Sequence, residues 1–274
     1  MNSSLSVTDV RHALMCPRFF VLCKTYGKPS GVFSGHFVGS ILHDTMQKTL
    51  KEISNPMIFA RAFKDSVHYK ELVEKVVENF LYKHFSGIVE SRLDKMGEIS
   101  QIPRAWKLVK SAKSRIADLI VKTADITSLE EVPRRLILGV EKPFKIEIEV
   151  GGFRVTLGGR IDAALRDPEN DAVLLWDFKT SKRGNMRVDT AQLALYSYAV
   201  EELWGETPKA KILYFSEDGL RRVEVPKDPE RRSDLFNYIV RMVKWLKGEE
   251  VPPRADLEVC AYCHLKSSCD EIFQ

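Results

Sequence analysis

The chain has 274 residues, of which 44% are hydrophobic and 29% are charged, and its formal net charge is +4. This length and composition are typical of a folded globular protein, built as one large domain or as a core with an inserted subdomain. No apolar run approaches the roughly 20 residues of a membrane-spanning helix, so we expect no membrane partner, and a net charge this small does not by itself indicate a nucleic-acid partner.

The N-terminal residues predict a reducing compartment and a short helix. Residues 1–9 lack the basic and apolar regions of a secretory signal, so we expect a cytoplasmic protein with reduced thiols. The sequence from Ser6 to Asp9, followed by apolar residues at helical spacing, predicts an N-capped amphipathic helix that is interrupted near Pro17. Cys16 then lies close to a helix end.

A long helical region follows. Residues 39–53 have apolar residues at helical spacing and carry His43. The helical pattern continues over about 57–128. We therefore divide this half of the chain into N-terminal helices, residues 1–56, and a helical insertion, residues 57–135.

The hydrophobic period changes from helical to alternating near Leu136. Alternation over 144–150, the pair Gly151-Gly152 and a second apolar run predict a β-hairpin, whose second strand continues to Leu165. A nearly continuous apolar run over 172–177 predicts a strand buried on both faces. Helices are predicted over 188–204 and 231–247, and strands over 211–215 and 220–225. Residues 136–250 are thus predicted to form an α/β core with a mixed sheet.

Two aspartates and a lysine are expected to meet at one end of this sheet. Asp162 lies on one predicted strand, and Asp177 and Lys179 end the next. Paired carboxylates bind hard cations such as Mg²⁺, with the backbone carbonyl of Phe178 as a further ligand, and a nitrogen ligand from His43 would favour Mn²⁺ beside Mg²⁺. A metal ion there acidifies water and stabilises charge on phosphorus, while Lys179 orients the nucleophile, so the pattern indicates phosphodiester hydrolysis. Two aspartates and a lysine at this spacing also occur by chance, so the assignment of an active site depends on neighbouring motifs.

Three of the five cysteines lie in the last fifteen residues with the spacing C-x2-C-x5-C, as Cys260, Cys263 and Cys269. For reduced thiols this is metal-ligand spacing. Thiolate sites usually take four ligands, so the fourth must be Cys16 or Cys23, and the site would join residues 251–274 to the N-terminus.

The chemistry of this cysteine site has alternatives. Thiolate geometry alone does not separate structural zinc from an iron-sulfur cluster. The sequence from Cys260 to His264 also has the C-x-x-C-H pattern of c-type haem attachment, but that interpretation leaves Cys269 unexplained and belongs outside the cytoplasm.

A pair on the next helix completes a set of motifs, because Gln192 and Tyr196 are spaced by four residues and share one helix face. In chain order the motifs are Cys16-Pro-Arg, Gly39-x3-His43, Gly159-x2-Asp162, Asp177-Phe-Lys179, Gln192-x3-Tyr196 and Cys260-x2-Cys263-x5-Cys269. Together they resemble the RecB-like branch of the PD-(D/E)xK nucleases, and most closely the CRISPR-associated exonuclease family, the fourth Cas protein. The resemblance runs over essentially the whole chain.

The resemblance implies an α/β fold with a PD-(D/E)xK nuclease core, a mixed central sheet flanked by helices, a helical insertion and a C-terminal iron-sulfur module. It implies that an iron-sulfur cluster, [4Fe-4S] rather than [2Fe-2S], is bound by Cys16, Cys260, Cys263 and Cys269. It also implies a nuclease site formed by His43, Asp162, Asp177 and Lys179, with DNA contacts from Gln192 and Tyr196. Glu141 is a further acidic residue near this site, although the sequence favours an exposed glutamate at a strand edge.

Lys182 and Arg183 follow the Asp-x-Lys strand and are predicted to contact the DNA backbone. The expected function is a metal-dependent exonuclease acting on single-stranded or frayed DNA ends, with the family role of trimming prespacers for CRISPR adaptation alongside the Cas integrase. The alternatives are a RecB-type repair or replication nuclease and a catalytically silent DNA-binding scaffold. The chain contains no G-x4-G-K-[ST] motif, so any helicase would be a separate chain.

Overall fold

The computed structural model describes residues 3–27, 37–57, 69–92, 99–180, 185–216, 219–225, 227–256, 260, 263 and 265–273. Lys182 and Arg183, the two basic residues predicted to contact DNA, lie outside these ranges. Within the described ranges, no helix is both long and apolar enough to cross a membrane.

The described strands form one mixed sheet of six members. They are β1 (Ser3–Ser6), β2 (Ile137–Val150), β3 (Phe153–Arg166), β4 (Val173–Lys179), β5 (Lys209–Ser216) and β6 (Gly219–Val225). β1 runs parallel to β3 and β4 runs parallel to β5, while the other neighbours are antiparallel. Gly151 and Gly152 connect β2 to β3 with φ angles of 54° and 77°, where a residue without Cβ is favoured. The predicted hairpin and mixed sheet are confirmed, whereas β1 was not predicted.

Helices lie on both faces of this sheet. They are α1 (Val7–Met15), α2 (Pro17–Tyr26), α3 (Phe37–Ile53), α4 (Tyr69–Glu90), α5 (Ile102–Lys110), α6 (Lys113–Ala124), α7 (Val132–Leu136), α8 (Met186–Trp204), α9 (Pro229–Lys247) and α10 (Lys266–Ile272). The predicted α/β architecture, with helices flanking a mixed sheet, is therefore confirmed.

Local backbone chemistry separates the first two helices. Ser6 Oγ accepts a hydrogen bond from Asp9 N at 3.0 Å, and Asp9 Oδ2 accepts one from Ser6 N at 2.7 Å, which forms a capping box. Pro17 has no N–H and fits the first turn of a helix but not its interior. Consequently α1 ends at Met15 and α2 begins at Pro17, which confirms the predicted interruption, and Cys16 caps both helices.

The long strand β3 is paired differently along its two edges. One edge pairs with β2 along nearly the whole strand. The other edge pairs with β1 over residues 155–158 and with β4 over residues 163–166. No described strand covers this second edge between Gly159 and Asp162. Because α1 begins directly after β1, its first turn lies against this interval.

Separate hydrophobic clusters cover the two faces of the sheet. On one face, α3 to α7 pack with strand residues that include Trp176 and Phe215. On the other face, α1, α2, α8 and α9 pack with strand residues that include Leu175 and Ile212. Helices α4 to α7, which belong to the predicted insertion, therefore share a hydrophobic core with the sheet. The predicted boundaries at 56, 135 and 250 stay a prediction.

Gly159 marks a close approach between the sheet and its neighbours. A Cβ at this position would lie 2.6 Å from Cε1 and Cζ of Phe144 and 3.0 Å from Cγ2 of Val7. Both neighbours are buried, so neither side chain can move aside freely. We predict that Gly159→Ala lowers the free energy of unfolding by about 1–3 kcal/mol through overpacking, as measured by chemical denaturation.

The same substitution in α4 provides the control. A Cβ at Gly87 would meet no atom within 4 Å, and this glycine lies inside a helix. Gly87→Ala should therefore raise the free energy of unfolding by up to about 1 kcal/mol. If the two substitutions changed stability in the same direction, the packing argument for Gly159 would be wrong.

Candidate active site

Strand register aligns three carboxylates in one row across β2, β3 and β4. The pairs on either side of Glu141 place it opposite Asp162 in the antiparallel β2–β3 ladder. The first β3–β4 pair, Ala163 with Trp176, places Asp177 beside Asp162 on the other side. Neighbouring strands lie about 4.8 Å apart, and residues opposite each other form side-chain pairs. The register thus gathers acidic residues that are distant in sequence.

His43 reaches this row from α3. Its Nε2 lies 3.1 Å from Asp162 Oδ1 and 3.6 Å from Glu141 Oε1. Its ring packs edge-on against Phe178, with centroids 6.1 Å apart. One helical turn later, the side-chain amide nitrogen of Gln47 lies 2.5 Å from His43 Nδ1 and fixes the other side of the ring.

A glycine allows α3 to come this close. A Cβ at Gly39 would lie 3.1 Å from Oγ1 of Thr180, the residue that follows β4. A side chain at this position would require Thr180 or α3 to shift by a few tenths of an ångström. This contact gives a physical reason for the Gly-x3-His motif.

The contact between His43 and Asp162 determines the charge of both groups. Burial alone would lower the pKa of His43, but the hydrogen bond and negative charge of Asp162 raise it above its ordinary value. Burial alone would likewise raise the pKa of Asp162, but the His43 hydrogen bond and charge lower it. The two groups therefore favour an ion pair, and a bound cation would replace the proton on Nε2.

Asp177 is fully buried and is held by Lys179. The ammonium Nζ lies 2.8 Å from Oδ1 and 2.7 Å from Oδ2 of this carboxylate. Burial raises the pKa of Asp177 to about 7, while the charge of Lys179 acts in the opposite direction. Lys179 also donates to Gln192 Oε1 at 3.1 Å, and Gln192 Nε2 donates to the Tyr196 hydroxyl at 2.8 Å. A continuous hydrogen-bonded chain thus runs from the carboxylate to the phenol, whose own pKa is raised by burial.

His43, Glu141 and Asp162 form a group that fits a divalent cation. One ligand atom from each residue lies within 4.8 Å of the others. Glu141 Oε1 is buried and accepts no hydrogen bond from a described residue, so it is an acceptor that a cation would satisfy. One imidazole nitrogen combined with carboxylate oxygens suits Mn²⁺ or Mg²⁺.

The structure brings together His43, Asp162, Asp177, Lys179, Gln192 and Tyr196, as the motifs predict. Their catalytic, metal-binding and DNA-binding roles stay predictions. Asp177 is not part of the group that contains His43, and its carboxylate is paired with Lys179. The backbone N–H of Phe178, whose carbonyl was predicted as a ligand, donates to Asp162 Oδ2 at 3.1 Å.

Glu141 lies closer to the site, and is less exposed, than its position in the sequence indicates. Its side chain is 13% exposed, not the exposed strand-edge glutamate that the sequence favoured. Its φ of 54° distorts β2 at this point, and Arg160 Nη1 donates to Oε2 at 3.1 Å. One available signal was the two-residue turn at Gly151-Gly152, because counting pairs back from that turn places Glu141 opposite Asp162.

The C-terminal cysteines lie against the N-terminal helices. Arg18 Nε donates to the carbonyl of Pro252 at 3.1 Å, and the guanidinium lies 5.1 Å from the ring centre of Phe273. Burial raises the pKa of Cys269, which a hydrogen bond from Arg18 opposes and the nearby Cys16 reinforces. The tail is therefore docked where Cys16 caps α2.

The donor set at this end of the chain fits a thiolate-bound group. Cys16, Cys260, Cys263 and Cys269 are free thiols. The pKa of Arg254 is raised by its interaction with Cys260 and with the charges of Asp270 and Cys269, so two arginines, Arg18 and Arg254, supply positive charge near these sulfurs. Positive charge favours the thiolate form that binds metals. The iron-sulfur cluster itself stays a prediction.

Comparison with a protein-family model covers nearly the whole chain. The family model described as the PD-(D/E)XK nuclease superfamily matches residues 4–270. No curated protein matches the chain. Among solved structures, the chain is similar to SSO0001, with 19% identity, a TM-score of 0.43 and coverage of 99% of this chain and 88% of that one. It is also similar to a candidate exonuclease from Eubacterium rectale, with 13% identity, a TM-score of 0.39 and coverage of 88% and 92%.

The metal group can be tested through Glu141. We predict that Glu141→Gln weakens Mn²⁺ binding roughly 10- to 100-fold, because the amide removes one negative charge from the group. Isothermal titration calorimetry measures the change. The control is Glu149→Gln on the same strand, where the side chain is 74% exposed and pairs with Arg154. Equal Mn²⁺ affinities in the two variants would exclude Glu141 as a ligand.

Proposed function

Because the chain belongs to the PD-(D/E)XK nuclease superfamily, we propose that it is a metal-dependent exonuclease that hydrolyses phosphodiester bonds in DNA. The observation that carries the proposal is the position of Lys179 and Asp177 beside the group formed by His43, Glu141 and Asp162. A divalent-cation site next to a fixed ammonium group places two cationic groups where a phosphate becomes more negative during hydrolysis.

His43, Glu141 and Asp162 would hold the divalent ion, while Asp177 stays paired with Lys179 and fixes its ammonium group. Such an ion lowers the pKa of bound water and neutralises negative charge on the phosphate. The Nζ of Lys179 is oriented by Asp177 and by the amide oxygen of Gln192, so this ammonium is fixed before DNA arrives. A fixed donor needs little reorganisation in the transition state.

Tyr196 has the properties of a neutral phosphate-binding group. Its hydroxyl oxygen already accepts a hydrogen bond from Gln192, so its own proton is available to a phosphate oxygen. Burial and the negative charges of Asp162 and Asp177 raise the pKa of Tyr196, so the phenol keeps its proton at neutral pH. These contacts support a role for both residues beside the cleaved bond.

We propose single-stranded or frayed DNA ends as the substrate and trimming of prespacers beside the Cas integrase as the biological role. The order of the six sequence motifs supports this narrower proposal. Lys182 and Arg183 belong to the connection between β4 and α8, the two elements that carry Lys179 and Gln192. Basic residues at that point in the chain suit a nucleic-acid backbone.

An iron-sulfur cluster bound by Cys16, Cys260, Cys263 and Cys269 is part of the same proposal. The docking of the tail on Arg18 supports it, since this contact draws the C-terminal cysteines toward α2. The cluster would then join the two ends of the chain around the sheet, and its loss should reduce folding before it affects chemistry.

The nuclease proposal predicts that wild-type protein degrades end-labelled single-stranded DNA with Mn²⁺. Lys179→Ala should lower kcat by roughly 100- to 1,000-fold, because it removes a preorganised charge. Lys145→Ala, which changes an exposed lysine of β2, should leave kcat unchanged. Equal activity of wild type and Lys179→Ala would show that the assigned site is wrong.

The cluster proposal predicts brown protein after anaerobic purification, with visible absorbance and stoichiometric iron. Cys269→Ser should lose the iron and the colour, whereas Cys23→Ser should retain both. Iron analysis and thermal unfolding on the same samples measure ligation and its effect on stability. Colourless wild-type protein carrying stoichiometric zinc would contradict the iron-sulfur assignment.

A further inference from the structure

Arg11 on α1 has a guanidinium group whose hydrogen-bond donors are not all satisfied by the described residues. Its Nε is buried and donates no hydrogen bond to a described residue. Its ion pair with Asp189 spans 3.9 Å from Nη2 to Oδ1, which is longer than a hydrogen bond. A buried donor without an acceptor costs free energy, so its presence calls for an acceptor from outside the chain.

The charge of Arg11 reaches the carboxylate row. Burial raises the pKa values of Asp177 and Tyr196, and the positive charge of Arg11 acts against this effect at both groups. These two residues flank the chain of hydrogen bonds that runs through Lys179 and Gln192. Arg11 therefore lies close enough to the candidate active site to act on it electrostatically, and 35% of its side chain is exposed to solvent.

Asp189 does not depend on Arg11 for a hydrogen bond. Its Oδ2 accepts the hydroxyl proton of Tyr214 at 2.9 Å, and both residues are buried. Tyr214 pairs with Lys179 in the β4–β5 ladder, which places this contact next to the site. The long contact with Asp189 leaves the donors of Arg11 available to a ligand.

We propose that Arg11 is a catalytic residue that donates hydrogen bonds to a non-bridging oxygen of the scissile phosphate, an inference that rests on the proposed nuclease function. Arginine presents planar paired donors that match phosphate oxygens, and it stays charged at all working pH values. Lys179 supplies a single ammonium group that Asp177 and Gln192 already share. As charge grows on phosphorus, the planar donors of Arg11 add to the stabilisation that Lys179 and the divalent ion supply.

Arg11 transfers no proton in the proposed hydrolysis. Water adds to phosphorus and releases one proton to solvent, one phosphorus–oxygen ester bond breaks, and the departing sugar oxygen takes up one proton from solvent, which yields a phosphomonoester and an alcohol. Arg11 holds a phosphate oxygen throughout and stabilises the additional negative charge of the transition state.

The first experiment compares Arg11→Gln with two controls in single-turnover cleavage of single-stranded DNA with Mn²⁺. Arg11→Gln should lower the rate at saturating enzyme about 100-fold, the usual effect of losing a preorganised donor. Asp189→Asn keeps an acceptor for Tyr214 and should stay within about threefold of wild type, as should Arg154→Gln, which removes an exposed positive charge. DNA affinity measured with Ca²⁺ should change by less than about threefold in each variant, because Arg11→Gln loses one phosphate contact among several and the two controls lose none.

The second experiment tests the contact itself. A single methylphosphonate replaces one charged oxygen of the scissile linkage by a neutral methyl group, and its two diastereomers are tested separately. With one diastereomer, the substitution should slow the wild-type enzyme at least about tenfold more than it slows Arg11→Gln, as expected for two groups that interact directly. If Arg11→Gln does not fold, Arg11→Lys retains the charge, and the same comparison applies to it.

Several outcomes would overturn the inference. These are an Arg11→Gln rate within threefold of wild type, a methylphosphonate effect of equal size in both enzymes, or an Asp189→Asn defect that matches Arg11→Gln. If Lys179→Ala is inactive while Arg11→Gln retains full activity, the inference fails and the nuclease function stands. Wild-type protein that cleaves no DNA with Mn²⁺ would overturn both.

Discussion

The register of β3 against its two antiparallel neighbours is the constraint on which the site depends. Glu141, Asp162 and Asp177 stand in one row because β2 and β4 pair with β3 at fixed positions. A slip of one residue in either pairing would turn a carboxylate to the opposite face of the sheet. The two-residue turn between β2 and β3 and the close contact at Gly159 hold this register.

The three adjacent carboxylates in this row repel one another, and positively charged groups from the surrounding elements offset the repulsion. Burial also disfavours the charged forms of Asp162 and Asp177. His43 from α3 stabilises the charge on Asp162, and Lys179 from β4 stabilises the charge on Asp177. Glu141 retains an oxygen without a hydrogen-bond donor, so the site is still deficient in positive charge. Because of this deficit, a divalent cation and the positive charge of an additional arginine would be stabilised at the site.

The N-terminal elements fill the interval that β3 leaves open. β1 ends opposite Gly158, and Val7 in the first turn of α1 lies against Gly159. The next helix starts at Pro17 and holds the C-terminal tail through Arg18. One continuous segment thus connects the carboxylate row to the cysteine-bearing end of the chain, so disturbance of the tail is expected to reach the site through α1 and α2.

The sequence alone was sufficient for features that depend on local chemistry or fixed spacing. The helix break at Pro17, the hairpin at Gly151-Gly152 and the motif residues from His43 to Tyr196 all follow from capping, turn and motif patterns. The parallel pairing of β1 with β3, the burial of Glu141 and the approach of Arg11 were decided by the tertiary structure. The pairing of β1 and the approach of Arg11 join segments that are far apart in sequence, and no local pattern encodes how they pack. For Glu141, the turn at Gly151-Gly152 indicates the position opposite Asp162, but its low exposure arises only when the sheet and helices pack together.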